Sequence, residues 1–271
     1  MVTVGGRRLR VAVRPGTGDG PPLLVCNGIG TPLEALAPFT GVLDPAIEVV
    51  RFDVPGAGGS PAPQLPYSVP SLARLVTRML GELGYDRFDV LGISWGGGLA
   101  QQLAVQNPRR CRRLVLAATS TGCLMIPASP RVLLHLSSPR RHRDPAHAAR
   151  IAADIYGGAL RREPALAEPV TRAHGAPVSR RGYLYQLMAT AGWTSLPWLP
   201  FVRQPALILA GDDDPIIPLA NARIMAALLP AARLHVYPDG HLGLLVRAAE
   251  LAPLVSDFLL AVEPGPQRAF Q

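Results

Sequence analysis

The 271-residue sequence contains no lysine; all 27 of its basic side chains are arginine. Against 19 acidic residues they leave a formal charge of +8. They are scattered, with loose groups only at Arg109, Arg110, Arg112, Arg113 and at Arg140, Arg141, Arg143. A nucleic-acid reader concentrates its basic residues on one binding element, so this distribution argues against that class. The arginine-only bias reads instead as coding in a GC-rich bacterial genome. Without lysine there is also no phosphate loop. Gly56-Ala57-Gly58-Gly59 lacks the Lys-Ser/Thr that would follow and reads as a flexible turn.

Cysteine is scarce. Cys26, Cys111 and Cys123 are an odd number, and no apolar signal-peptide core follows Arg7, Arg8 and Arg10, so reduced thiols in a cytoplasm are expected. Long hydrophobic runs are missing too. The most apolar stretch, Leu244 to Val262, is cut by Arg247, Glu250 and Asp257, short of the roughly 18 residues a membrane span needs. His135, His142, His147 and His174 have no second ligand at metal spacing, so no metal is expected there. Charged residues make up only 17% against 48% hydrophobic, which excludes disorder and supplies a sizeable core.

What is present alternates. Short β-rich apolar runs at Leu9 to Val13, Leu23 to Cys26, Glu48 to Phe52, Phe88 to Leu91, Leu114 to Ala118, Ala206 to Ala210 and Leu234 to Tyr237 are separated by helix-length segments. That pattern predicts an α/β fold with a mostly parallel sheet flanked by helices. Leu72, Leu75, Val76, Met79, Leu80 and Leu83 share one helical face, with Ser68 as N-cap, Pro70 in the first turn and Gly84 after the end. A second helix is predicted from about Gly96 to Gln106, stopped by Pro108. Between about Thr121 and Arg203 strands vanish. Helical stretches such as His147 to Tyr156 appear there, and Tyr183, Tyr185, Trp193 and Trp198 gather. The expected organisation is a core of residues 1–120 and 204–271 with a helical lid insertion of 121–203.

Gly92-Ile93-Ser94-Trp95-Gly96 falls between a strand and a helix, the context a G-x-S-x-G nucleophile elbow requires. A tight turn there lifts the serine hydroxyl above the sheet and aims a helix N-terminus at developing negative charge. A serine is a poor nucleophile near neutral pH, so it needs a base, and the base an orienting carboxylate. Asp212, Asp213 and Asp214 leave the end of one later strand, and His241 leaves the end of the last. Those are the positions where open α/β sheets build their sites. His235, within a strand, reads as a packed or surface histidine.

With these residues placed, nearly the whole chain resembles the α/β-hydrolase superfamily. Within it the likeness is to intracellular depolymerases of medium-chain-length polyhydroxyalkanoates. The likeness rests on Cys26-Asn27-Gly28-Ile29-Gly30, Asp53 to Ser60, Val90 to Gly97, Arg112 to Ser120 and Leu209 to Pro215. Asp154-Ile155-Tyr156-Gly157-Gly158 and Gly192-Trp193-Thr194-Ser195, inside the insertion, are its more specific parts.

The resemblance implies a cytoplasmic serine esterase with a Ser94, Asp214, His241 triad. Asp214 takes that place because it holds the family's Gly-x-x-Asp-x-x-x-Pro spacing from Gly211 to Pro218; Asp212 is the weaker candidate. The resemblance further implies oxyanion donors at the amides of Ile29 and Trp95, no cofactor, and a polyester substrate with the storage-granule surface as partner. Asn27 departs from the His-Gly that many relatives carry. Asn27, Met125 and Trp193 are candidate substrate contacts, although Met125 and Trp193 also suit an insertion core.

Three other readings stand beside this one. The first is a hydrolase of another soluble ester, lactone, thioester or C–C bond; the second is a non-hydrolytic binding protein on the same fold. The third is a proline-releasing peptidase, for which the insertion offers only Asp144, Asp154, Glu163 and Glu168 as acids.

Overall fold

The computed structural model describes residues 1–138, 144–166 and 179–262. The described residues form nine strands: β1 (Val2–Val4), β2 (Arg7–Leu9), β3 (Val11–Arg14), β4 (Leu23–Cys26), β5 (Val49–Phe52), β6 (Phe88–Ile93), β7 (Cys111–Ala117), β8 (Ala206–Gly211) and β9 (Ala232–Tyr237). β1 and β2 pair as a hairpin, and the other seven make one sheet in the order β3-β5-β4-β6-β7-β8-β9. Only β3 runs antiparallel to its neighbour. Every residue of β4, β6 and β8 is buried, as expected of parallel strands covered on both faces.

The two-residue period of the strands sorts their side chains into two cores. Leu24, Cys26, Val90, Leu114, Leu116 and Ile208 point to one face. There they pack against the helices Val69–Glu82, Trp95–Gln106 and Leu219–Leu228. Leu23, Val25, Leu91, Ile93, Val115 and Leu207 point to the other, against Phe39 and the closing helix Ala248–Leu260. The helix Val69–Glu82 starts at a reciprocal cap: Ser71 donates its amide to the Ser68 hydroxyl, and Ser68 its amide to that of Ser71.

Between β7 and β8 the chain leaves the sheet. Its described residues form the helices Pro130–Ser137, Pro145–Tyr156, Ala159–Arg162 and Arg180–Ala191, with single 3-10 turns at Pro164–Leu166 and Leu199–Phe201. The base of this segment is stitched shut. Gly122 pairs with Thr194, the Cys123 N–H donates to the Trp193 carbonyl at 2.8 Å, and that of Ser195 to Thr121 at 2.9 Å.

Two expectations are corrected. The predicted strand Leu9 to Val13 is two strands with different partners: Leu9 pairs with Val2 in the hairpin, Val11 pairs with Phe52 of β5, and Arg10 is the junction between them. Its N–H bonds the Ser60 hydroxyl at 2.9 Å, and its carbonyl accepts the Asp53 N–H at 3.0 Å. The Gly5-Gly6 loop between β1 and β2 was the missed hairpin signal. Second, the Gly56–Gly59 turn is packed rather than flexible. Buried Asp53 accepts the amides of Leu33 and Gly59 and faces Arg10, while Gly56 lies against Gly182. Arg140, Arg141, Arg143, His142, Glu168 and His174 lie outside the described residues.

Leu91 is fully buried at the centre of β6. Leu91→Ala is expected to cost about 2–5 kcal/mol. Ser68→Ala, which removes an exposed cap, should cost about 1 kcal/mol. Denaturant midpoints of the two variants check this ranking.

Candidate active site

The elbow is built by close packing. Ser94 lies between β6 and the helix Trp95–Gln106 with φ of 53°, a left-handed conformation that a non-glycine residue holds only when its surroundings impose it. The imposing contact is Gly96. A Cβ there would overlap the carbonyl oxygens of Cys26 and Asn27, so the helix start rests directly on the end of β4. The Ser94 carbonyl is tied by the Gly97 N–H at 2.9 Å and the Thr119 hydroxyl at 2.7 Å. The backbone is thus over-determined, and the side chain stands half-buried above the sheet.

His241 and Asp214 meet the serine from the ends of β9 and β8. His241 Nε2 lies 3.1 Å from Ser94 Oγ, and Nδ1 lies 2.8 Å from Asp214 Oδ2. The other carboxylate oxygen of Asp214 accepts the amides of Ile216 and Ile217, both at 2.9 Å. With both oxygens engaged, the acid cannot rotate away from the imidazole. A carboxylate at Nδ1 favours the tautomer whose Nε2 is free to accept a proton from the serine. Both side chains are nearly excluded from solvent, at 6% for His241 and 1% for Asp214.

The three consecutive aspartates have different surroundings. Asp212 is exposed and gives its N–H to the Tyr237 carbonyl at 3.1 Å. Asp213 accepts the Gly158 N–H at 2.7 Å and pairs with Arg161. Only Asp214 meets His241 among the described contacts.

The insertion braces this end of the sheet. His241 donates its own N–H to the Tyr156 carbonyl at 2.8 Å. Buried Asp239 accepts the amides of Ala159 at 2.8 Å and Gly240 at 2.7 Å, with Arg162 and Arg247 beside its second oxygen. Gly158, with φ of 54°, sits where a Cβ would overlap Asp239 and the Gly240 amide. Asp213, Asp239 and Gly158 were not singled out from the sequence as a joint. The Gly157-Gly158 pair after a helix was its one visible trace.

The loop Asn27-Gly28-Ile29-Gly30 runs beside Ser94: a Cβ on Gly28 would lie 3.7 Å from that of Ser94. Among the described residues the amides of Ile29 and Trp95 meet no protein acceptor, whereas Gly30 donates to Gln186 Oε1 at 2.9 Å. Asn27 is buried and spends its Nδ2 on the Pro32 carbonyl at 2.7 Å, which fixes the loop. The Met125 sulfur accepts the Ser120 hydroxyl at 3.2 Å. Trp193 is buried over Gly98 and Gly122 and donates its indole N–H to Gln102 Oε1 at 2.7 Å. Those contacts place it between the insertion and the helix Trp95–Gln106. His235 stands half-buried in β9, and His135 lies 3.6 Å from Asp154. Among the described residues no three His, Cys, Asp or Glu side chains are grouped as metal ligands.

Residues 21–248 match the family described as the alpha/beta hydrolase fold, and the chain belongs to that family. Over 261 residues it is 50% identical to a poly(3-hydroxyalkanoate) depolymerase of Ectopseudomonas oleovorans, covering 95% of this chain and 91% of the relative. It is 31% identical to a pimeloyl-[acyl-carrier protein] methyl ester esterase of Aromatoleum aromaticum, over 88% of this chain and 97% of that one. Among solved structures, the enol-lactonase from Burkholderia xenovorans LB400 superposes with a TM-score of 0.80 at 25% identity, covering 95% and 98% of the two chains.

Gly158→Ala is expected to cost about 1–3 kcal/mol through backbone strain. Gly192→Ala, where an added Cβ meets nothing within 4 Å, should stay within about 0.5 kcal/mol of the parent. Thermal and denaturant unfolding of the pair measures the difference.

Proposed function

We propose that the chain is a serine esterase that hydrolyses the 3-hydroxyacyl ester bonds of a medium-chain polyhydroxyalkanoate or its oligomers. The observation that carries the chemistry is the hydrogen-bonded series Ser94 Oγ, His241, Asp214 at 3.1 and 2.8 Å. The substrate class is supported by 50% identity, over nearly the whole length, to the depolymerase.

In this reading His241 takes the proton of Ser94 as the hydroxyl attacks an ester carbonyl, and Asp214 holds the imidazole and stabilises its charged form. The amides of Ile29 and Trp95 bind the tetrahedral oxyanion, each worth roughly 3 kcal/mol of the barrier. His241 then protonates the departing alkoxide. Water, deprotonated by the same imidazole, attacks the acyl-enzyme and returns the serine. The half-buried Met125 remains a candidate wall of the acyl site. Asn27 and Trp193 remain candidate substrate contacts beside it.

A cytoplasmic granule surface is the proposed place of action. No described helix is long and apolar enough to cross a membrane. The insertion nevertheless exposes Leu134 at 73%, Phe201 at 73% and Leu184 at 53%, side chains suited to an apolar polymer face. A second reading, a small soluble ester as substrate, is favoured by the 31% identity to a methyl ester esterase.

Ser94→Ala is expected to lower turnover of p-nitrophenyl octanoate by roughly 10³-fold or more. Asp214→Asn should lower kcat by about 10⁴-fold with the fold intact. Parent-like rates in either variant would refute the triad. The substrate class is checked on isolated granules. Leu134→Glu with Phe201→Glu should depress release from granules several-fold and leave p-nitrophenyl octanoate turnover unchanged. A parent enzyme that turns over methyl esters but neither granules nor hydroxyalkanoate oligomers would favour the second reading.

A further inference from the structure

One residue of the insertion touches both segments that would hold the oxyanion. The side chain of Gln186, in the helix Arg180–Ala191, is buried at 1% exposure. Its Oε1 accepts the N–H of Gly30 at 2.9 Å, and its main-chain carbonyl accepts the indole N–H of Trp95 at 2.8 Å. Gly30 directly follows Ile29, and Trp95 directly follows Ser94. The two donors come from loops far apart in sequence, so the distance between them depends on what ties those loops together. An oxyanion hole works only when its donors stand about 2.7–3.1 Å from where the charge forms.

The same side chain is a poor core filler. Its Nε2 is buried without a hydrogen-bond partner among the described residues. A buried donor left unpaired destabilises a fold, whereas an apolar side chain of the same length would not. The carboxamide therefore weakens the core at this position while anchoring the Gly30 amide.

We propose that Gln186 is a positioning residue for the oxyanion pocket: by holding Gly30 it sets the Ile29 amide against the Trp95 amide. This rests on the esterase reading of the same site. It also assigns the insertion a part in the chemistry.

The test is Gln186→Met, which keeps length and loses the acceptor. The expected result is a kcat for p-nitrophenyl octanoate reduced roughly ten- to hundred-fold. KM should stay within about twofold, since the loss falls on the transition state. The variant's affinity for an alkyl boronic acid, which mimics the tetrahedral intermediate, should fall in parallel with kcat/KM. The melting temperature should move by no more than a few degrees, since the variant removes one unpaired donor, Nε2, and leaves another, the Gly30 N–H, without its acceptor. Unchanged kcat and boronate affinity would overturn the proposal. So would a loss of activity that tracks a lowered melting temperature, since the role would then be structural. A fluorophosphonate probe separates the two readings. A parent protein that is not labelled at Ser94 brings down the esterase reading and this proposal together. Labelling at equal rates in parent and variant overturns this proposal alone.

Discussion

The contact between Gly96 and the carbonyl end of β4 is the constraint on which the rest of the site depends. It lets the helix Trp95–Gln106 start so close to the sheet that Ser94 must take a left-handed backbone, and it raises the hydroxyl clear of the core. Any side chain at Gly96 would push the helix outward and relax the turn. The strain is held in place by buried sheet on both sides. β6 lies between β4 and β7, and its six residues all sit inside. A strained residue of this kind costs of order 1–3 kcal/mol, which a well-packed core can absorb.

Around that elbow the insertion acts as a brace at two points. At the acid and base loops, the Tyr156 carbonyl and the Gly158 and Ala159 amides tie to His241, Asp213 and Asp239. At the other side of the nucleophile, Gln186 ties to Gly30 and to the Trp95 indole. Catalytic geometry of this sort tolerates errors of well under 1 Å, and loops alone rarely hold it. The insertion therefore fixes the loops around Ser94 and His241 through hydrogen bonds to their backbone.

The sheet was legible because continuous apolar runs have few alternatives in a chain of this composition. Leu23–Cys26 was read with its observed ends, and the later strands with ends shifted by a few residues. The helix Val69–Glu82 was legible from one apolar face and a serine cap. The break at Arg10 is not legible locally, because the residues before it pair with the first strand and those after it with β5, and the Arg10 N–H goes to Ser60, fifty residues away. The buried Asp53 turn was misread for the same reason: its polar partners come from three separate stretches.

Ser94 and His241 stood out in the sequence because a tight glycine-flanked turn and a strand-end histidine are local features. Three adjacent aspartates, by contrast, look alike in a linear chain. Which one faces the imidazole is decided by the turn after β8, where the amides of Ile216 and Ile217 hold Asp214 and the insertion takes Asp213. The partner of the Trp193 indole, Gln102, is likewise fixed only by the tertiary structure. The sequence by itself determined the layered α/β architecture and the strand-to-helix elbow, because hydrophobic period and glycine sterics act between near neighbours. Only the tertiary structure decided how Asp214, His241 and the loop Asn27–Gly30 are held, because those bonds join segments up to 156 residues apart.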